Sequence, residues 1–286
     1  MIYLRLIILL IILAVLYSCE TNVDASDLLD KEQLIIINGY LSPQDAVLKV
    51  QVSRSKSITS TVNSKDLIIT SANVKITNEN NDEAILIYQE STNSYEASAN
   101  ELVITPGKKY FLEVLVDEDK YYATCTVPLL AIQNIEYDIQ IRDDNFIGDR
   151  LLKVSIDDIK ELPNFYIFGA SVLELLDNGS GITTENKEII DFGFRQFASD
   201  INRENSIISA IGSFSVSSGI SSNKRLKIQV ANTEKILFDT LRATYLNDSN
   251  GEDPFIESII LPSNIIGKNG FGVFAGYQLT EKEVSF

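Results

Sequence analysis

The sequence predicts a mainly β protein: an N-terminal immunoglobulin- or transthyretin-like sandwich, then a second β-rich domain with one helix. Three observations lead there. Apolar and polar residues alternate at period 2 over many short runs. Ala46, Leu48, Val50 and Val52 share one face, for example, with Val47, Lys49, Gln51 and Ser53 on the other. Turn-forming clusters separate the runs, namely Ser42-Pro43-Gln44-Asp45, Glu79-Asn80-Asn81-Asp82, Thr105-Pro106-Gly107 and Asp117-Glu118-Asp119. A good helical stripe occurs once, as Ile236, Leu237, Leu241 and Tyr245 within Thr233–Leu246.

In chain order, the first element is an address. Met1–Arg5 carries one positive charge, Leu6–Leu16 is unbroken apolar, and Tyr17, Ser18 and Cys19 follow. A spanning helix needs about 20 apolar residues, so this run has the length of a signal-peptide core. Leu16-Tyr17-Ser18-Cys19 resembles the bacterial lipobox, with Leu at −3, Ser at −1 and a bulkier Tyr at −2. On that reading residues 1–18 are a lipoprotein signal peptide and Cys19 is the lipidated first residue of the mature chain. Residues 19–33, with Asp24, Asp27, Asp30 and Glu32, are an acidic tether. The competing readings are an ordinary secretory signal with a chance cysteine, or an uncleaved anchor. Several acyl chains, at about 0.8 kcal/mol per buried CH₂, hold a protein on a bilayer far better than one.

The body divides at Pro128-Leu129-Leu130. Residues 34–128 contain seven strand-length runs: Leu34–Tyr40, Ala46–Ser53, Ala72–Thr77, Ala84–Tyr88, Tyr95–Ser98, Lys109–Val116 and Tyr121–Val127. Seven short strands in this span fit a sandwich, although Trp and an inter-sheet cysteine pair are absent. Residues 129–286 hold further strand candidates in Ile135–Ile141, Leu152–Ile156, Phe165–Leu176, Ile189–Phe197, Ile207–Val216, Arg225–Val230 and Phe271–Leu279. Ser171–Leu176 also reads as helix. Thr233 is positioned to cap the one strong helix, and Asn247–Gly251 to end it.

Composition narrows the function. The chain has 24 Lys plus Arg against 40 Asp plus Glu, a net charge of −16, which argues against nucleic-acid binding through phosphates. Removal of residues 1–18 would take Arg5 with it, leaving 23 against 40, or −17. The absence of histidine excludes Ser-His and Cys-His nucleophile pairs and His-containing zinc sites. With Cys19 committed to lipid, Cys125 has no disulfide partner and reads as a small core residue on the face of Ala123 and Val127.

The candidate chemical motifs have bland alternatives that fit better. Gly270-Phe271-Gly272-Val273-Phe274-Ala275 matches G-x-G-x-x-A, but a helix and a second strand cannot follow before Phe286, so it reads as a closing strand. Ser53-Arg54-Ser55-Lys56 and Ser221-Ser222-Asn223-Lys224 spell S-x-x-K without the helix that would bring Lys beside Ser, and read as solvated strand-end and loop residues. Asp143-Asp144-Asn145 with Gly148-Asp149, and the loop 248–253, are oxygen-rich. As EF-hands they place Ile147 and Val154, or Asp253 and Ile259, at positions that require other residues. Tyr110, Tyr121 and Tyr122 read as core and rim, with a sugar or peptide platform as the alternative. The expectation is no catalytic, cofactor or metal residue.

Leu34-Ile35-Ile36-Ile37-Asn38-Gly39-Tyr40, Val50–Ser55, Ala72–Thr77, Pro106-Gly107-Lys108-Lys109-Tyr110, Tyr121–Pro128, Ser263-Asn264-Ile265 and Gly270–Phe274, in this order behind a lipobox, resemble the Bacteroidota lipoproteins grouped as domain of unknown function 4249. The resemblance implies an outer-membrane lipoprotein, anchored on the surface or periplasmic face with the surface favoured, and no established site residues. It implies a non-enzymatic binding or accessory module beside a TonB-dependent transporter, for nutrient capture or gating. A structural subunit of an outer-membrane assembly or secretion complex is the alternative, with another barrel complex as partner. A carboxylate-based hydrolase is the third reading, since paired Asp and Glu need no histidine.

Overall fold

The computed structural model describes residues 33–56, 62–141, 149–160, 163–177, 183–201, 206–215, 224–251 and 257–285. The first seven strands are β1 (Ile35–Leu41), β2 (Val47–Arg54), β3 (Asn73–Asn78), β4 (Glu83–Gln89), β5 (Ser94–Ser98), β6 (Lys109–Val116) and β7 (Asp119–Thr126). They match the seven predicted runs to within two residues at each end. Alternation decides their faces: in β2 Leu48, Val50 and Val52 are buried while Val47, Lys49 and Gln51 are exposed.

The remaining elements are β8 (Ile135–Ile141), β9 (Asp149–Asp157), β10 (Phe165–Asp177), β11 (Thr183–Ile189), β12 (Phe197–Ser199), β13 (Ile207–Ser215), β14 (Lys224–Thr233), helix α1 (Lys235–Asn250) and β15 (Gly270–Ser285). One long sheet runs β11-β10-β14-β15-β1-β2-β5-β4-β3-β6-β7, with β12 beside β10, and a three-stranded sheet runs β13-β9-β8. The protein is thus mainly β and sandwich-like, with one helix among the described elements.

The long sheet folds over on itself to enclose the first core. β4 makes the corner: Glu83–Leu86 pair with β3, and Ile87–Gln89 pair with β5. Ile37, Leu48, Val50, Ile76, Leu112, Val114, Ala123 and Cys125 meet in the enclosed space. In the second unit the three-stranded sheet covers β10 and β14, burying Leu152, Val154, Ile156 and Phe214 against Tyr166, Phe168, Ile228 and Val230.

The two units share a strand. β15 pairs parallel with β1 through Gly270–Gly276, then antiparallel with β14 through Tyr277–Ser285. Phe274 joins the first core, while Val273 and Ala275 on the opposite face pack under Leu237 of α1. The stretch after Pro128 is held by side chains of β14 and β15. Gln278 donates to the Pro128 carbonyl at 2.6 Å, Asn232 to Leu130 at 3.0 Å, Thr280 to Ile132 at 2.9 Å and Lys282 to Ile135 at 2.6 Å. The stretch ahead of β8 thereby satisfies backbone acceptors that lie outside the strand ladders.

Several local expectations change. The strand reading of Phe165–Leu176 holds over its helical alternative at Ser171–Leu176, because β11 pairs along that segment and β14 with its first four residues. Ile189–Phe197 is not one strand. The Asp191 carboxylate accepts from the Gly193 N–H at 2.6 Å, Gly193 has φ +56°, and a 3₁₀ turn occupies Gly193–Gln196. Thr233 does not cap the helix: it ends β14 and its hydroxyl donates to the Phe165 carbonyl, leaving Glu234 at the N-cap position. The helix also runs past Leu246 to Asn250.

Gly272 shows how closely β15 lies on β1. Its φ is +124°, and a Cβ there would sit 2.1 Å from the Ile37 carbonyl oxygen. Gly272→Ala is therefore expected to destabilise the protein by about 3 kcal/mol, the upper end of strained-backbone costs. Gly169→Ala, where a Cβ meets nothing within 4 Å, should leave the midpoint nearly unchanged. Equilibrium urea unfolding of both variants checks the contrast.

Candidate functional site

The junction of the two units is where the structure concentrates its polar detail. β7 ends the long sheet, so the outward groups of Tyr122, Thr124 and Thr126 need partners other than a strand. They find them in single residues. Tyr122 exchanges two backbone hydrogen bonds with Ile266, both at 2.8 Å. The Thr124 carbonyl accepts from Asn264 Nδ2 at 3.1 Å, and the Thr126 N–H donates to Glu234 Oε1 at 2.8 Å.

The same two side chains serve β15. Asn264 Oδ1 accepts from the Phe274 N–H at 2.9 Å and its Nδ2 donates to the Phe274 carbonyl at 2.7 Å. Glu234 Oε2 accepts from the Gly276 N–H at 2.7 Å, and the Glu234 N–H donates to the Gly276 carbonyl. Asn264 and Glu234 are therefore rungs between β7 and β15, closing the first sandwich almost into a barrel. Gly276 permits the approach, since a Cβ there would lie 2.6 Å from the Val127 Cα.

Burial pushes the Glu234 carboxyl above its ordinary range, and the N–H groups of Gly276 and Thr126 pull it part of the way back. Both oxygens are committed to backbone donors, so the raised pKa accompanies a structural bond and not a free base. The Cys125 thiol lies nearby, pushed up by burial first and then by the Glu234 charge, which makes it a poor nucleophile. It is free and buried, as the alternation of β7 implied.

Above these rungs lies a cleft of about 410 Å³ between the units. Its apolar walls come from Val127, Leu129, Leu130, Pro163 and Phe165, and its polar edge from Asn164, Asn232 and Lys235. The amides are held internally: Asn164 donates from its N–H to Asp200 Oδ1 at 2.9 Å, and Asn232 donates to Asn164 Oδ1 at 3.3 Å. Lys235 is paired with Asp239, with its ammonium 5.8 Å from the centre of the Phe165 ring. A second cavity of about 430 Å³ lies against the three-stranded sheet, lined by Leu151, Asp191, Phe192, Arg195, Ile211 and Ser213 among others. Among the described residues, Asp191 is the carboxylate lining the second cavity and Glu234 the one lining the cleft.

The residues singled out in the sequence do not converge. Cys19, Asp143–Gly148, Ser221–Asn223 and residues 252–253 lie outside the described residues. Ser53 lies next to the end of β2 and Lys56 two residues beyond it, and Gly270–Ala275 is strand throughout. Asp248 falls within the last turn of α1. Lys224 is a correction: it is buried, not solvated, with Glu174 3.5 Å away at the edge of the second core. The tyrosines do not form a platform, since Tyr110 and Tyr121 are buried and Tyr122 is the exposed member. Sequence reasoning missed Glu234 and Asn264 as junction residues. The Ser263-Asn264-Ile265 motif was visible, but nothing local shows that its amide spans two strands.

Among the described residues no helix is long and apolar enough to cross a membrane, and no group of three metal-ligating side chains is assembled. A family model described as domain of unknown function (DUF4249) matches residues 19–283. No curated protein matches the chain.

Glu234→Gln keeps the volume but replaces one acceptor with an amide that faces a backbone donor. It is expected to cost about 1–3 kcal/mol at neutral pH. Folding raises the pKa of Glu234, so the wild type loses stability through this group as pH climbs from the ordinary glutamate range through the raised value. The variant cannot share that loss, so the stability gap between wild type and Glu234→Gln should narrow with rising pH. Thermal or urea unfolding across pH 4–8, for the two proteins side by side, measures it.

Proposed function

The chain belongs to the DUF4249 family, and from that premise we propose that it is a lipid-anchored outer-membrane protein that acts as a non-enzymatic binding or accessory module. One observation carries the anchor. The family match begins at Cys19, the residue that the lipobox marks as the first of the mature chain. Residues 1–18 are then signal, and residues 19–33 tether a two-unit β body to the bilayer, with the surface face favoured. Several acyl chains on one cysteine suffice for stable attachment.

The accessory role has its support in the body's build. Its cavities, of about 410 and 430 Å³, fall in the size range of small-ligand pockets. Its half-buried acid at the junction, Glu234, is occupied by backbone hydrogen bonds. Such a body suits capture or gating of a nutrient in association with a TonB-dependent transporter. The transporter is the partner proposed, in place of a nucleic acid or a soluble enzyme complex.

Cys19→Ala is expected to abolish fatty-acid labelling and release the protein from the membrane fraction; equal labelling and fractionation would overturn the anchor. Mild-detergent purification of the tagged wild type should recover a receptor barrel with a plug domain. Recovery of an assembly or secretion barrel in its place would turn the reading to a structural subunit.

A further inference from the structure

The cavity on the three-stranded sheet contains chemistry that the fold does not use. Its floor exists because Gly212 lets another segment cross β13 at close range. A Cβ on Gly212 would lie 2.8 Å from Ile190 Cγ2 and 3.0 Å from the Asp191 carbonyl oxygen. The crossing is fixed by the Ser213 N–H donating to the Asp191 carbonyl at 3.2 Å. Gly193, at φ +56°, then turns the chain, and Arg195 comes to line the cavity together with Leu151 and Ile211.

Arg195 is unusual in this protein. Arg54 pairs with Asp117, Arg225 with Glu283, and Arg242 stacks 4.7 Å from the centre of the Phe194 ring. Among the described residues Arg195 has no carboxylate and no ring partner, although the chain carries a net charge of −16. A planar guanidinium with no partner among the described residues, in a surface hollow with apolar walls, suits a carboxylate. Asp191 uses one oxygen on the Gly193 N–H, which leaves acceptor capacity in the same lining, next to the Ser213 hydroxyl. Leu151, Ile211 and Phe192 supply an apolar wall.

We propose that this cavity binds an α-amino-acid carboxylate with an apolar side chain, either free or at the C-terminus of a short peptide. Arg195 holds the carboxylate, Asp191 accepts from the adjacent ammonium or amide N–H, and the side chain packs against Leu151 and Ile211. The volume of about 430 Å³ accommodates more than a single residue. The assignment names the ligand class for the capture role above and rests on that reading for its biological setting.

Isothermal titration of the purified full-length protein in detergent tests it, with leucine, N-acetyl-leucine and uncharged N-acetyl-leucinamide as probes. At least one of the two acids should bind, and the amide should bind about tenfold more weakly or worse. Arg195→Gln should weaken the acid by a similar factor with an unchanged melting temperature, and Arg225→Gln should bind like wild type. Preference for N-acetyl-leucine over leucine assigns the site to peptide ends, and the reverse to the free amino acid. No binding of either acid to wild type, or equal binding by Arg195→Gln, overturns the assignment. These titrations involve neither anchor nor transporter. Acid binding without a recovered receptor would therefore leave the site standing and remove the transporter, and a recovered receptor without acid binding would do the opposite.

Discussion

The architecture depends on the buried edges of β15 and β7 finding hydrogen-bond partners. A backbone N–H or C=O left bare inside a protein costs as much as a lost hydrogen bond, so a strand shared by two cores must be satisfied along both edges. β15 does this in two ways. Its first half lies parallel on β1, its second half antiparallel on β14, and Asn264 and Glu234 serve the edge of the first half facing β7. Two side chains thereby take the place of a strand. A carboxylate there accepts two donors at once, which no neutral side chain of its size does as well.

The two units are joined by further hydrogen bonds around this strand. Where they adjoin, the stretch after Pro128 gives its carbonyls to Asn232, Gln278, Thr280 and Lys282, and the Tyr277 hydroxyl donates to Asp45 in the turn between β1 and β2 at 2.9 Å. Burial holds both the Asp45 carboxyl and the Tyr277 hydroxyl above their ordinary ranges. A junction pinned from several directions positions its cleft as part of the fold. Surface ion pairs such as Lys75–Glu83 and Arg225–Glu283 add little to it, because exposed pairs are worth at most about 1 kcal/mol each.

The chemistry of the site follows from the same economy of polar groups. The buried Asn164, Asp200 and Asn232 and the half-buried Glu234 are spent on backbone or on one another. At the surface of the second unit, beyond the turn at Gly193, Arg195 is exposed, with no carboxylate or ring partner among the described residues.

By itself the sequence determined the seven strands of the first sandwich, most strands of the second unit, the helix and the burial of Cys125. Period-2 alternation and turn chemistry act over a few residues, and neighbours in the chain suffice to read them. The break at Asp191–Gln196 was harder, because an apolar run hid a local carboxylate turn. The position of β15 was beyond local reading. Ile35 meets Gly270 across the length of the chain, and no periodicity encodes a partner that distant. Glu234 looked like part of a helix start and Asn264 like part of a short motif; only the tertiary structure made them rungs between strands. Pairing of remote segments is decided by which buried edges are left unsatisfied once the local elements have formed, and that is a property of the assembled sheet.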